Sequence, residues 1–206
     1  MLDTRTALVE AATEVFAEHG VATASLVEVT RRAGQRNRGA VHYHFGSRAG
    51  LLVAVLEQHA PFLAAREGEL LARARTTPPD DVAAVLEAVV RPAVELAETG
   101  PPGSRYLVVV GQLVEDHDRL DPGVAEALRR TGGYAVYDLL EQRLPPMDPA
   151  LRNERLALVT GFILRSVADR ARQAASPGRA QLPTERFVRN LVAMAAAMAT
   201  APAVDV

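Results

Sequence analysis

Between Ser25 and Arg48 the chain reads SLVEVTRRAGQRNRGAVHYHFGSR: two helical stretches joined by a tight turn, each too short to be stable alone. Ser25 followed by Glu28 is a capping box, in which the hydroxyl serves a backbone N–H three residues on and the carboxylate reaches back. Leu26, Val29 and Ala33 form a narrow apolar stripe, and Gly34 supplies a left-handed stop. Asn37 is a suitable cap for the second stretch, whose buried side is Ala40, Val41 and Phe45. From Arg31 onward the segment carries Arg31, Arg32, Arg36, Arg38, His42, His44 and Arg48 without one acid. A short helix, a tight turn and another short helix with basic and aromatic side chains outward is what a helix-turn-helix reader of DNA needs.

The rest of the chain is consistent with helices around this pair. At 206 residues it can bury a real core and hold one three-helix domain plus a larger helical one. Leu, Ala, Val and Arg dominate, lysine is absent and aromatics are 4%, which favours helix over sheet. The net charge of −2 is small, but its distribution is uneven: positive charge gathers at 31–48, while 80–126 is rich in Asp and Glu. The absence of cysteine excludes disulfides, thiolate chemistry and a sulfur redox switch. The N-terminus runs into an amphipathic helix containing Asp3 and Glu10, unlike a signal peptide, and the apolar runs 156–164 and 191–199 are too short to span a bilayer. The expectation is a soluble cytoplasmic protein with no membrane attachment, no cofactor and no metal.

About nine helices are expected in all. The first starts near Thr4, buries Leu8, Ala12, Val15 and Phe16, and stops at Gly20. A fourth starts at the Ser47 cap and runs to about 75, kinked at Pro61. A fifth spans roughly 79–98, interrupted by Pro92, and Pro101-Pro102-Gly103 is a break. The β-branched run from Tyr106 to Val114 has no partner strand elsewhere and reads as the sixth. Asp121-Pro122 and Asp148-Pro149, each a cap followed by a first-turn proline, open the seventh and eighth, with Gly132-Gly133 loosening the seventh. The ninth runs from about Thr184 to Thr200, and Ser176-Pro177-Gly178 closes the eighth.

The eighth and ninth helices are apolar nearly all the way round, so they are buried on more than one side. One face against the body and another against a twin subunit gives a four-helix dimer interface. Its expected contacts are Leu156, Val159, Ile163 and Val167 with Phe187, Leu191, Met194 and Met198, the small Gly161, Ala193, Ala196 and Ala197 allowing close approach.

From about Arg5 to His59 the chain resembles the DNA-binding domain of TetR-family transcriptional regulators. The matching pieces are Ala11-Ala12, Val15-Phe16, Gly20, Ser25, Ala33-Gly34, Tyr43-His44-Phe45, and Ser47-Arg48 followed by Leu51-Leu52. The turn Gln35-Arg36-Asn37-Arg38-Gly39 is one residue longer than usual in that family, and His42 replaces a tyrosine. The resemblance implies an all-α protein with a helix-turn-helix domain over 1–46 and a helical effector-binding and dimerisation domain over 47–206, joined by the helix 47–75. It further implies a dimeric repressor of a palindromic operator, released by a small-molecule effector.

At DNA, Arg38 and His42 are candidates for base edges, and Gly39 lets the helix start come close to the groove. Ser25, Tyr43, His44 and Arg48 are candidates for phosphates, with Arg36 and Asn37 beside them and Arg31 and Arg32 adding general attraction. Polar groups on otherwise apolar helices are pocket candidates: His59, Tyr106, Gln112, Tyr134, Tyr137, Phe162 and Arg165. Arg165, if buried, requires an anionic partner. An effector between the fourth helix and helices five to eight is expected to pivot the segment 47–60 about Pro61. Two other functions fit less well. A metal enzyme using His42-x-His44 fails because residues two apart on a helix point about 200° from each other. A helical adaptor with a degenerate motif sits poorly with the intact caps and the acid-free stretch.

Overall fold

The computed structural model describes residues 3–174 and 180–203, and the described residues are helical with connecting turns. In chain order the helices are α1 (Thr4–His19), α2 (Leu26–Arg32), α3 (Ala40–Phe45), α4 (Arg48–Glu57), α5 (Ala60–Ala74), α6 (Val82–Glu98), α7 (Pro101–Glu115), α8 (Pro122–Arg129), α9 (Gly133–Arg143), α10 (Pro149–Ala174) and α11 (Thr184–Thr200). A 3-10 turn, His117–Arg119, precedes α8. The expected close of the eighth helix at Ser176-Pro177-Gly178 lies outside the described residues.

Among the described residues eleven helices replace about nine, because two expected helices are each divided. The stretch expected as one kinked helix ends at Glu57 and restarts at Ala60, which puts Pro61 in the first turn of α5. First-turn N–H groups have no partner within a helix, so a proline there costs nothing. No continuous rod runs from Ser47 to Arg75, and the joint is the pair Gln58-His59 rather than Pro61. The second division falls at Gly132, whose φ of 101° only glycine adopts without strain; it separates α8 from α9. Pro92, by contrast, is carried inside α6 without a break, and Pro101 and Pro102 open α7 instead of lying in a loop.

Four of the caps legible in sequence are formed. Ser25 Oγ accepts from Glu28 N–H at 3.5 Å, Ser47 Oγ from Gly50 N–H at 3.1 Å, Asp121 Oδ1 from Gly123 N–H at 2.8 Å and Asp148 Oδ1 from Ala150 N–H at 2.9 Å.

The N-terminal bundle closes α1, α2, α3 and α4 over Leu8, Val15, Phe16, Val29, Val41, Leu51 and Val55, all buried. Full burial of a side chain such as Phe16 stabilises by roughly 2–3 kcal/mol. In the remainder, α6 is central and packs on α5, α7, α9, α10 and α11. The two parts share one continuous core, with α7 lying on α1 and α8 on α4.

Candidate nucleic-acid interface

The turn between α2 and α3 is built by local chemistry. Gly34 takes φ +68° with no side-chain neighbour to constrain it, and Gln35 N–H closes on Thr30 C=O. Asn37 Oδ1 accepts the Gly39 N–H at 2.9 Å, an Asx turn that sets the entry to α3. The residue at the helix cap is therefore Gly39, and Asn37 acts two residues earlier than expected. Ala40 and Val41 anchor α3 in the core.

This arrangement turns Arg36, Asn37, Arg38, Gly39, His42 and Tyr43 to the solvent, Tyr43 with 83% of its surface exposed. His44 is half-buried, its ring edge-to-face with Tyr43 at 5.0 Å. A tyrosine so exposed on a short basic helix adds nothing to the core and offers both a ring and a hydroxyl to a partner. Arg5, absent from the sequence-based set, lies over the Phe45 ring at 5.3 Å and brings a further cation to the same end of the bundle.

Three arginines in the acid-free stretch are already engaged. The Glu28 carboxylate does not reach back to Ser25; it accepts from Arg31 Nη2 at 2.6 Å and Arg32 Nε at 3.0 Å, which holds it down to about pKa 2. Arg32 also reaches Glu18 at 2.6 Å, so Arg31 and Arg32 add little free positive charge. Arg48, expected at a phosphate, instead donates to Val21 C=O at 2.8 Å and Ala24 C=O at 2.6 Å with its guanidinium 5.8 Å from the Phe16 ring centre. Arg48 is a strap between α4 and the α1–α2 loop, which no local sequence signal distinguishes from a surface arginine.

Gln112, expected at a pocket, is engaged at the same loop. Its Oε1 accepts the Val21 N–H at 2.8 Å, tying α7 to the α1–α2 loop from the other side. Arg105 of the same helix pairs with Glu14 of α1 at 2.5 Å. Thr13 Oγ1 donates to Gln58 Oε1 at 3.1 Å, and Tyr106 Oη donates to Leu56 C=O at 3.1 Å in the last turn of α4.

Of the expected pocket residues, Tyr106 is buried and His59 and Tyr137 are half-buried. His59 lies edge-to-face on Tyr106 at 4.8 Å, and burial lowers its pKa. The Tyr137 hydroxyl pairs with Thr160, and burial pushes its pKa up to about 12. Near Tyr106 and Tyr137 sequence reasoning missed Glu67, which falls on the apolar stripe Ala60, Leu63, Leu70 and Ala74 of α5 and is buried. Tyr134 is exposed at the surface, Phe162 is half-buried against the core, and Arg165 is 76% exposed and paired with Asp169 at 3.2 Å, so the buried cation needing a ligand does not exist there. Two cavities, of about 280 and 390 Å³, lie elsewhere, one by Val94, Ser104 and Arg170, the other by Arg66, Arg73 and Arg91. Among the described residues no cluster of His, Asp and Glu suits a metal, and no helix is long and apolar enough to cross a membrane.

The outward face of α10 and α11 is rotated from the expected seam. Val159, Ile163, Val167 and Leu191 are buried in this chain's own core, while Leu156, Phe187 and Met198 are half-buried against it. Facing outward are Leu158, 59% exposed, and Met194, 45% exposed, with Ala157, Ala193 and Ala197; Gly161 has open space where a Cβ would stand.

Two family models match the chain: one described as bacterial regulatory proteins of the tetR family, over residues 8–55, and one described as the C-terminal domain of tetracyclin-repressor-like proteins, over 87–198. A stretch of 54 residues is 44% identical to the HTH-type transcriptional regulator SrpR of Pseudomonas putida, covering 26% of this chain and 25% of that protein. The same identity and length relate it to the uncharacterized HTH-type transcriptional regulator TtgW, also of Pseudomonas putida, of which 40% is covered. The match thus spans a quarter to two-fifths of these curated relatives' own length. Among solved structures, the ketosteroid transcriptional regulator KstR2 of Mycobacterium tuberculosis superposes with a TM-score of 0.58 at 18% identity, covering 95% of this chain and 94% of that one. AibR, in complex with isovaleryl coenzyme A and operator DNA, gives 0.55 at 17%, covering 93% and 97%. At such identities the agreement is one of fold.

Proposed function

Because this chain belongs to the TetR family of bacterial regulatory proteins, we propose that it is a repressor that binds a palindromic operator as a homodimer and leaves it when a small molecule enters its C-terminal part. The observation that carries this reading is the set Arg36, Arg38, His42 and Tyr43, turned outward together on a capped helix-turn-helix from a stretch without one acid. Arg38 and His42 read base edges; Arg36, Asn37, Tyr43, His44 and Ser25 hold the backbone, and Gly39 permits close approach. Arg48 acts through the α1–α2 loop that it straps.

A two-fold dimer presents two such helices to successive major grooves about 34–36 Å apart. The outward faces of α10 and α11, apolar and small at Leu158, Gly161, Ala193, Met194 and Ala197, support pairing there. The division into a DNA-binding unit over 1–46 and an effector and dimerisation unit over 47–206 is supported by the break at Gln58-His59 only in part, since α4 packs with the first unit. Release follows if a ligand beside Tyr106 shifts α7, because Tyr106 holds α4 and Gln112 holds the α1–α2 loop.

The test is fluorescence anisotropy with labelled DNA from upstream of the protein's own gene, in a salt titration. Saturable binding that prefers a two-fold-symmetric segment over shuffled DNA is expected. Equal affinity for shuffled DNA would overturn the operator reading.

A further inference from the structure

We propose that the buried carboxyl of Glu67, set against Gly132 in the seam between α5 and α9, anchors a site for a cationic small molecule, an amine or amidine head on an apolar body. This rests on the reading of the C-terminal part as effector-binding and adds the chemical class of the effector.

Glu67 occupies a position where the stripe of α5 calls for leucine. It is 7% exposed, and its Oε2 has no hydrogen-bond partner among the described residues. Acids are almost never so buried unless paired, because an orphaned buried polar group is costly. A second residue serves the same end. A Cβ on Gly132 would collide with Glu67 Oε2 and stand 3.1 Å from Ala64 Cα, so the carboxyl has room only because residue 132 lacks a side chain. Gly133 next to it has open space on its Cβ side, and Tyr134, one residue further on, is exposed.

The surroundings select the sign of the charge. Tyr106 of α7 and Tyr137 of α9 both feel the Glu67 charge, and His59 at the start of α5 lies on Tyr106. Neither tyrosine hydroxyl serves Glu67: one donates to Leu56 C=O, the other pairs with Thr160. What they offer is aromatic ring, and a carboxylate among aromatic rings is a recognition set for cations. Among the described residues no arginine enters this group; burial alone raises the Glu67 pKa, to about 8. An anionic ligand gives up its hydration where no cation replaces it, and a neutral one leaves the carboxyl uncharged. A cation draws the carboxyl into its charged form, so one proton leaves Glu67 for solvent as the ligand binds.

The experiment is isothermal titration calorimetry of the full chain near neutral pH with three probes of one shape: phenethylamine, phenethyl alcohol and hydrocinnamate. The amine is expected to bind at least about tenfold more tightly than the alcohol, and the acid more weakly than both. Its affinity should rise with pH up to about 8, and its heat should depend on the ionisation enthalpy of the buffer, reporting the released proton. Glu67→Gln should reduce the amine to the level of the alcohol and leave the alcohol unchanged; the buffer dependence in the unaltered chain tests the same point without any variant. Equal binding of amine and alcohol, no binding of the amine at millimolar concentration, or proton release without loss of affinity in Glu67→Gln would each overturn the proposal. Operator binding is measured separately. Operator binding that persists while the amine fails to bind removes this proposal alone, whereas amine binding that leaves DNA affinity untouched removes the effector reading and keeps the site.

Discussion

The Val21 N–H donates to Gln112 Oε1 at 2.8 Å, joining the α1–α2 loop to a helix 91 residues further along the chain. The carbonyl of the same residue accepts from Arg48 at 2.8 Å, so Val21 is held from both sides, by α7 and by α4. Four residues later Ser25 starts α2, the first helix of the helix-turn-helix. Gln112→Leu keeps the shape and removes the acceptor. The expected result is a loss of about 1 kcal/mol, at the low end for an unmet N–H because Val21 is half-buried, together with weaker operator binding. Urea unfolding and anisotropy measure the two effects.

Arg48 and Arg36 should behave differently at DNA although both lie in the same basic stretch. Each phosphate contact contributes about 0.9 to the slope of log affinity against log salt. Arg36→Ala removes an exposed cation and should flatten the slope by about that amount per contact. Arg48→Ala removes two bonds to backbone carbonyls, so it should lower the melting temperature and weaken all sequences alike while leaving the slope in place. A flattened slope in Arg48→Ala would return that residue to the phosphates.

Arg38→Ala should relax discrimination at one base pair of each half-site, at a cost of roughly 1–3 kcal/mol for the preferred base. Selection of binding sites from a randomised pool, compared between the two proteins, reads this directly; an unchanged consensus would exclude Arg38 from base reading.

At the pairing surface, Leu158→Glu and Met194→Glu place a charge on the outward face and should yield folded monomers by sedimentation. Ile163→Glu places it in this chain's own core and should unfold the protein instead. A folded monomer from Ile163→Glu would mean that the helix is turned the other way.

Stability should depend on pH through Glu67. Its folded pKa, about 8, lies above the ordinary carboxylate value of 4.5, so folding takes up a proton between those values. The contribution is fully present below about pH 4.5 and is lost as pH rises through about 8, with a slope of about 1.4 kcal/mol per pH unit in between. Denaturant midpoints across that window should show the decline, and Glu67→Gln should flatten it.

The features legible in sequence are those with a local cause. Ser25, Ser47, Asp121 and Asp148 mark their helix starts because a short polar side chain bonds a backbone group two or three residues away. The exposed Arg36, Arg38, His42 and Tyr43 follow from the apolar partners Ala40 and Val41 on the opposite side. Pro61 misleads because a proline in a first turn and one at a kink leave the same apolar pattern around them. The outward face of α10 and α11 has no orientation in sequence, since apolar runs that continue round a helix carry no phase. Arg48 and Gln112 bond to backbone of the distant Val21, which no periodicity reveals. Glu67 alone is within reach: an acid on the stripe of Leu63, Leu70 and Ala74 breaks the pattern visibly.

The bonds between the N-terminal bundle and the rest bear on domain grafting. Glu14 with Arg105, Val21 with Gln112, Leu56 with Tyr106 and Glu57 with Arg130 each have one end on either side of Gln58. A chimera that transplants residues 3–57 onto another regulator's body cuts all four at once. To keep the transplanted bundle joined to its new body, such a hybrid must import Arg105, Tyr106 and Gln112 as a cassette on the recipient's matching helix, with Arg130 as an optional fourth.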